Sequence, residues 1–146
     1  MSGLKKSFHI KKKDFIRAGE ASIQIKVLLK SLNLDSALIR RVAICGYEGE
    51  MNVVMHGGDG VLSLRVDTDL LTLNISDNGP GIEDVELAMQ KGFSTALDEY
   101  REMGFGAGMG LPNMEKNADQ IEVESERGKG TRVRMVFFIK KEGDRH

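Results

Sequence analysis

In the stretch GYEGEMNVVMHGG, Glu48 and Asn52 stand four residues apart. On a helix that spacing puts both on one face, with His56 one further turn along the same line. A carboxylate beside an amide suits a hydrated magnesium ion and a nucleophile awaiting deprotonation. Glu50 is two residues from Asn52, roughly 200° around the helix, so it points elsewhere. Glu48 can therefore act beside Asn52 and Glu50 cannot. Two polar residues on a solvated stripe would show the same spacing. Gly46 and Gly49 weigh against that: each costs a helix roughly 1 kcal/mol relative to alanine, so something packs close to this helix.

Three further clusters carry chemistry. Asp77-Asn78-Gly79-Pro80-Gly81 ends an alternating run, and Asp77 has the parity of the apolar Leu71, Leu73 and Ile75. Its carboxylate points to the apolar side and needs donors there, either an adenine amino group or a backbone N–H of the turn. Gly79 and Gly81 leave room for a planar ring against the backbone. Gly104, Gly106, Gly108 and Gly110 alternate just before a helix. They leave backbone N–H groups free to face an anion at a helix N-terminus, or they form a flexible linker. The pattern is neither a Walker loop nor a dinucleotide fingerprint. Gly128-Lys129-Gly130-Thr131 enters a last strand, where Thr131 shares parity with Val133 and Met135 and turns its hydroxyl inward; an ordinary turn is the alternative.

The elements that position these groups follow from periodicity. Leu4–Ile10 reads as a strand, followed by a solvated lysine run. Asp14 is placed to cap a helix from Phe15 to about Ser31, with Ala18, Ala21, Ile25, Leu28, Leu29 and Leu32 as its apolar stripe. Asn33 ends it. Asp35 or Ser36 caps a longer helix to about His56, where Gly57 and Gly58 stop it. The period then changes to two, and Val61–Asp67 and Leu70–Asp77 form a hairpin. Seven of the 17 glycines fall between Gly79 and Gly110, a long polar loop with one short helix at Glu83–Lys91. Leu111–Asn117 is helical, with Pro112 in its first turn. Strands at Gln120–Ser125 and Thr131–Lys140 complete the chain. Segregated helices and hairpin-linked strands predict an α+β fold, a two-layer α/β sandwich with helices on one face of a mostly antiparallel sheet.

Composition narrows the function classes. At 146 residues the chain is one domain. Its net charge of −1 excludes a general electrostatic grip on nucleic acid. The single cysteine, Cys45, excludes an internal disulfide, and His9, His56 and His146 are too scattered for structural zinc. No segment approaches the ~18 apolar residues of a membrane span, and the lysine-rich N-terminus lacks the apolar core of a secretory signal. A cytoplasmic protein is expected.

Taken in order, E-x-x-x-N on a helix, D-x-G-x-G after a strand, G-x-G-x-G before a helix and G-T entering a strand resemble the GHKL ATPase superfamily. That superfamily includes DNA gyrase, the large heat-shock chaperone, histidine kinases and mismatch-repair ATPases. The chain looks most like the bacterial anti-sigma-factor and switch-protein serine kinases, on YEGEMNVVMHGG, SDNGPGIEDVELAMQKGFST and GMGLPNMEKNADQIEVESERGKGT. The resemblance runs from about Phe8 to Ile139 and leaves no room for phosphoacceptor helices or a transducer domain.

The resemblance implies a single Bergerat-type ATP-binding kinase domain over residues 1–146, with a lid at about 92–110. It implies that Asn52 binds magnesium and through it the triphosphate of ATP. Glu48 becomes the general base. Asp77 accepts from the adenine amino group, with Thr131 helping through water, and Gly79 and Gly81 line the purine. Gly104, Gly106, Gly108 and Gly110 belong to the lid over the phosphates. Related sigma-factor kinases can carry an arginine close to this glycine motif. Here the nearest is Arg101, so transition-state charge is met from a longer lid or met less well. The implied activity is a Mg-ATP-dependent protein serine/threonine kinase. Its implied partners are an anti-anti-sigma-like (STAS-type) protein substrate and a sigma factor, with homodimerisation common in this branch. A non-catalytic ATP-gated binding module and a detached histidine-kinase ATP domain are the competing readings.

Overall fold

The alternating apolar residues of five short segments pair into one antiparallel sheet. A computed structural model describes residues 3–56, 58–79, 110–126 and 128–139. The strands are β1 (Leu4–Ile10), β2 (Gly60–Val66), β3 (Leu70–Asp77), β4 (Gln120–Glu126) and β5 (Gly130–Phe138). Their order across the sheet is β1-β2-β3-β5-β4, every neighbour antiparallel. Register aligns the apolar rows: Leu64 faces Leu73, Leu73 faces Met135, Ile75 faces Val133, and Leu71 faces Phe137. A one-residue slip would turn all of these outward, so burial of one face fixes the pairing.

Among the described residues three helices cover that face: α1 (Glu20–Ser31), α2 (Ser36–His56) and α3 (Gly110–Asn117). Ile25 and Leu29 of α1, Val42, Cys45 and Val54 of α2, and Leu111 and Met114 of α3 join the sheet's inner residues in one core. The two-layer α+β architecture is therefore as the segregated periodicities predicted. Asp35 caps α2, its carboxylate accepting from Ala37 and Leu38 N–H at 3.2 and 3.3 Å. Asn33, with φ of 56°, ends the preceding helix in the left-handed region that asparagine tolerates.

The helix α1 begins at Glu20, five residues later than expected. Asp14 accepts from Arg17 N–H at 3.3 Å and builds a turn rather than a helix cap. The cap comes from elsewhere. The buried Glu50 carboxylate accepts from the N–H groups of Gly19, Ala21 and Ser22 and from the Ser22 hydroxyl. Gly19 takes φ of 94° to present its N–H. A buried charge with four donors outcompetes a solvated aspartate, so the start of α1 is set by α2.

Gly49 explains how α2 lies so close to the sheet, because an added Cβ would run into the Ile75 side chain. Gly46 faces Ser22, Ile25 and Leu73 at van der Waals distance. The close packing expected of these glycines is thus against α1 and β3. Arg41 ties α2 to the far end of α3. Its Nε donates to the Asn117 carbonyl at 2.8 Å, its guanidinium pairs with Asp119 at 2.9 Å, and it lies over the Phe137 ring. No helix among the described residues is long and apolar enough to cross a membrane.

Candidate functional site

Helix α2 delivers Glu48 and Asn52 side by side on one face, both half-buried. The N-terminus of α3 meets them. Gly110 sits so close that an added Cβ would lie 3.0 Å from both Nδ2 and Oδ1 of Asn52. One turn on, the Asn113 amide Nδ2 donates to Glu48 Oε1 at 3.3 Å. Burial pushes the Glu48 carboxyl above its ordinary range, and the Asn113 hydrogen bond pulls partly back. A half-buried carboxylate of raised basicity beside an amide is an arrangement suited to taking a proton.

The opposite wall is the open end of β3. Asp77 faces Thr131 of β5 in register, and Thr131 faces Ser125 of β4. The Thr131 and Ser125 hydroxyls are 3.0 Å apart, and the Ser125 hydroxyl donates to the Gly130 carbonyl at 3.0 Å. With that proton committed, Thr131 is the donor to Ser125, which leaves Thr131 only acceptor capacity for anything else. Asp77 Oδ1 accepts the Gly79 N–H at 2.8 Å, the backbone-turn alternative of the sequence reading. Asp77 and Thr131 together present oxygen lone pairs, which is chemistry for a bound amino group or water.

Two glycines shape this strand end, and one of them meets α2. Gly60 lies between Val53 of α2 and Asp77, where an added Cβ would be 2.9 Å from Val53 Cγ1 and 3.3 Å from Asp77 Cβ. Gly130, at φ of 95°, leaves no room for a Cβ against the Asp77 carbonyl. The residue after Asn52 is therefore within one side chain of the Asp77 strand end. The fold joins Glu48 and Asn52 to α3 and Asp77 to Thr131, and through Gly60 it packs Val53, the residue after Asn52, against Asp77. Gly79 follows at the same strand end. Gly81, Arg101, Gly104, Gly106 and Gly108 lie outside the described residues, as does the helix expected at Glu83–Lys91.

Glu50 does point away from Asn52, into the α1 cap. Asn113 and Ser125 were missed. Ser125 shares the inward parity of Ile121 and Val123, and Asn113 lies three residues from Gly110 on the same helix face; those signals were present. Among the described residues no group of three or more His, Cys, Asp or Glu could hold a metal. A single amide, Asn52, cradled by Gly110 fits magnesium, which keeps most of its waters and leans on substrate phosphates. Cys45 is no nucleophile: burial pushes its thiol up to about 12.

Residues 47–142 match the model of the histidine kinase-, DNA gyrase B- and HSP90-like ATPase family. The anti-sigma F factor of Thermoanaerobacter sp. (strain X514) is 40% identical over 97 residues, 63% of this chain and 64% of that protein's length. The anti-sigma F factor of Clostridium botulinum (strain Eklund 17B / Type B) is 36% identical over 124 residues, 80% of this chain and 83% of the relative. In solved structures the fold resembles the RsbU and RsbW domains of Rv1364c from Mycobacterium tuberculosis. The TM-score is 0.60 at 15% identity, covering 93% of this chain and 33% of that one. It also resembles the mycobacterial sensor histidine kinase MprB, with a TM-score of 0.53 at 15% identity over 94% of this chain and 99% of that one. The family match covers Glu48, Asn52, Asp77, Gly110 and Thr131 together, and the sheet and helices that carry them have the same fold as these structures: this chain belongs to the histidine kinase-, DNA gyrase B- and HSP90-like ATPase family.

Proposed function

We propose that the chain is a Mg-ATP-dependent protein serine/threonine kinase of the anti-sigma switch type, one ATP-binding domain over residues 1–146. The observation that carries this reading is the convergence of Glu48 and Asn52 on the first turns of α3. The names of the relatives add the regulatory setting, since both are anti-sigma F factors. Asp77 and Thr131 accept from the adenine edge, and Gly79 and Gly81 leave space for the ring. Asn52 would hold a magnesium ion beside the triphosphate, and such an ion would supply positive charge against the phosphates. Glu48 takes the proton of a serine hydroxyl as its oxygen attacks the γ-phosphorus and the bond to the departing ADP breaks. The stretch 92–110 acts as lid, with its glycines over the phosphates and Arg101 meeting charge on the transferred group.

The protein substrate is a small STAS-type anti-anti-sigma domain, and a sigma factor is the second partner, exchanged according to nucleotide state in the cytoplasm. A pull-down with and without ATP identifies the partner, and single-turnover transfer from labelled ATP then tests the reaction. Acid-stable phosphate on the partner is expected. Acid-labile phosphate would place the chain with histidine kinases. ATP-dependent capture without any transfer would make it a nucleotide-gated binding module.

A further inference from the structure

We infer that Asn113 is the positioning residue for Glu48, its side-chain amide holding the carboxylate in the orientation from which it takes the proton. The inference rests on the reading of Glu48 as the base. A glutamate side chain has three torsions to restrain, and misplacement by about 1 Å can cost a catalytic group roughly a hundredfold. Among the described residues Asn113 is the hydrogen-bond partner of the Glu48 side chain, at 3.3 Å. A carboxylate only accepts, so the amide must turn its NH2 to Glu48, which sets its own orientation as well.

The amide is itself held from a rigid base. Leu111, Pro112 and Met114 of α3 are buried on both sides of it in sequence. The backbone carbonyl of Asn113 accepts from Asn117 Nδ2 at 2.8 Å, and Arg41 grips the Asn117 carbonyl from α2. The same helix rests Gly110 against Asn52. One short element therefore contacts both members of the α2 pair, one by close packing and one by a directed hydrogen bond. A merely structural cross-link between α2 and α3 would not need its acceptor to be the half-buried carboxylate of the site, because Arg41 already supplies that link.

The test is single-turnover phosphotransfer from Mg-ATP to the partner captured by the pull-down above, with ATP affinity measured beside it. The variants are Asn113→Ala, Asn113→Gln, Glu48→Gln and the double variant Glu48→Gln/Asn113→Ala. Asn113→Ala is expected to slow turnover roughly ten- to hundredfold while ATP affinity stays within about threefold. Asn113→Gln, which keeps the donor, should recover part of the rate. In the Glu48→Gln background the alanine change should cost nothing further, because the group it positions is gone. An Asn113→Ala rate equal to wild type, or an equal loss in both backgrounds, overturns the inference. A slow Glu48→Gln beside an unaffected Asn113→Ala removes the inference and leaves the base reading standing. A Glu48→Gln rate equal to wild type removes both. A readout without turnover is the Asn113 side-chain amide pair by NMR, which Glu48→Gln should shift; an unmoved pair overturns the contact itself.

Discussion

Glu50, in the C-terminal half of α2, accepts the Ser22 hydroxyl at 2.7 Å and the Ser22 N–H at 3.1 Å, which makes a side chain of one helix the N-terminal cap of another. Glu50 is 3% exposed, and its carboxylate also accepts from Gly19 and Ala21 N–H. It satisfies donors that a helix start leaves without partners, and its charge sits at the positive end of α1.

Removing Glu50 is therefore a stability lesion. Glu50→Ala leaves several buried donors unpaired and should destabilise the protein by roughly 2–4 kcal/mol in urea unfolding, with Ser22→Ala costing about 1 kcal/mol. Glu50→Gln should fall between them, since its NH2 meets donors. The two positions should be strongly coupled in a double-mutant cycle. Additive losses would show that the cap is not a unit. Spacing on α2 alone shows only that Glu50 faces away from Asn52; its role as a cap comes from its contacts with α1.

Magnesium-ATP should raise the melting temperature, and Asn52→Ala should abolish the rise. A ligand at a hundredfold excess over its dissociation constant stabilises by about 2.7 kcal/mol. Gly110→Ala should weaken the rise as well, because its Cβ would press on the Asn52 amide at 3.0 Å. Scanning calorimetry with and without nucleotide reads all three proteins. An unchanged shift in Asn52→Ala removes the magnesium role from that residue.

Asp77→Asn exchanges a pure acceptor for a mixed amide at the strand end. ATP affinity should fall by roughly 1.5–3 kcal/mol, the range for hydrogen bonds to a charged group. GTP, whose base carries a carbonyl where adenine carries the amino group, should bind weakly to both proteins. Isothermal titration with the two nucleotides decides; equal losses for both would place Asp77 outside the base pocket.

Glu48→Gln should keep ATP binding within a few-fold and slow phosphotransfer at least roughly a hundredfold. Its burial has two pH consequences. The raised carboxyl shifts the acid limb of the transfer rate above the range of an ordinary glutamate. The folded state also holds this proton more tightly than the unfolded chain. Its contribution to stability is full below the ordinary glutamate pKa and lost as pH rises through the folded value. Glu48→Gln should thus gain stability relative to wild type on passing from acid to neutral pH, read by urea unfolding across that range. A pH-independent difference would show that the carboxyl is not shifted in the folded protein.

Four of the residues given the proposed chemistry could be picked out because each belongs to a periodic element. Four-residue spacing aligned Glu48 with Asn52, and strand alternation turned Asp77 and Thr131 to the apolar side. The same alternation carried the sheet, since Leu73, Met135 and Val133 can be buried together in one register only. Tertiary structure decided what lies between elements. Asn113 meets Glu48 across 65 residues of chain, and Glu50 meets Ser22 across 28. Nothing in the local pattern of either helix encodes its partner's register or distance. The start of α1 went the same way: Asp14 offered a solvated cap, and a buried carboxylate from α2 with four donors prevailed. Periodicity is a property of one element and can be read from it alone. A hydrogen bond between two elements exists only once the core has fixed how close they come, and here Gly49, Gly60 and Gly110 set that distance by having no side chain.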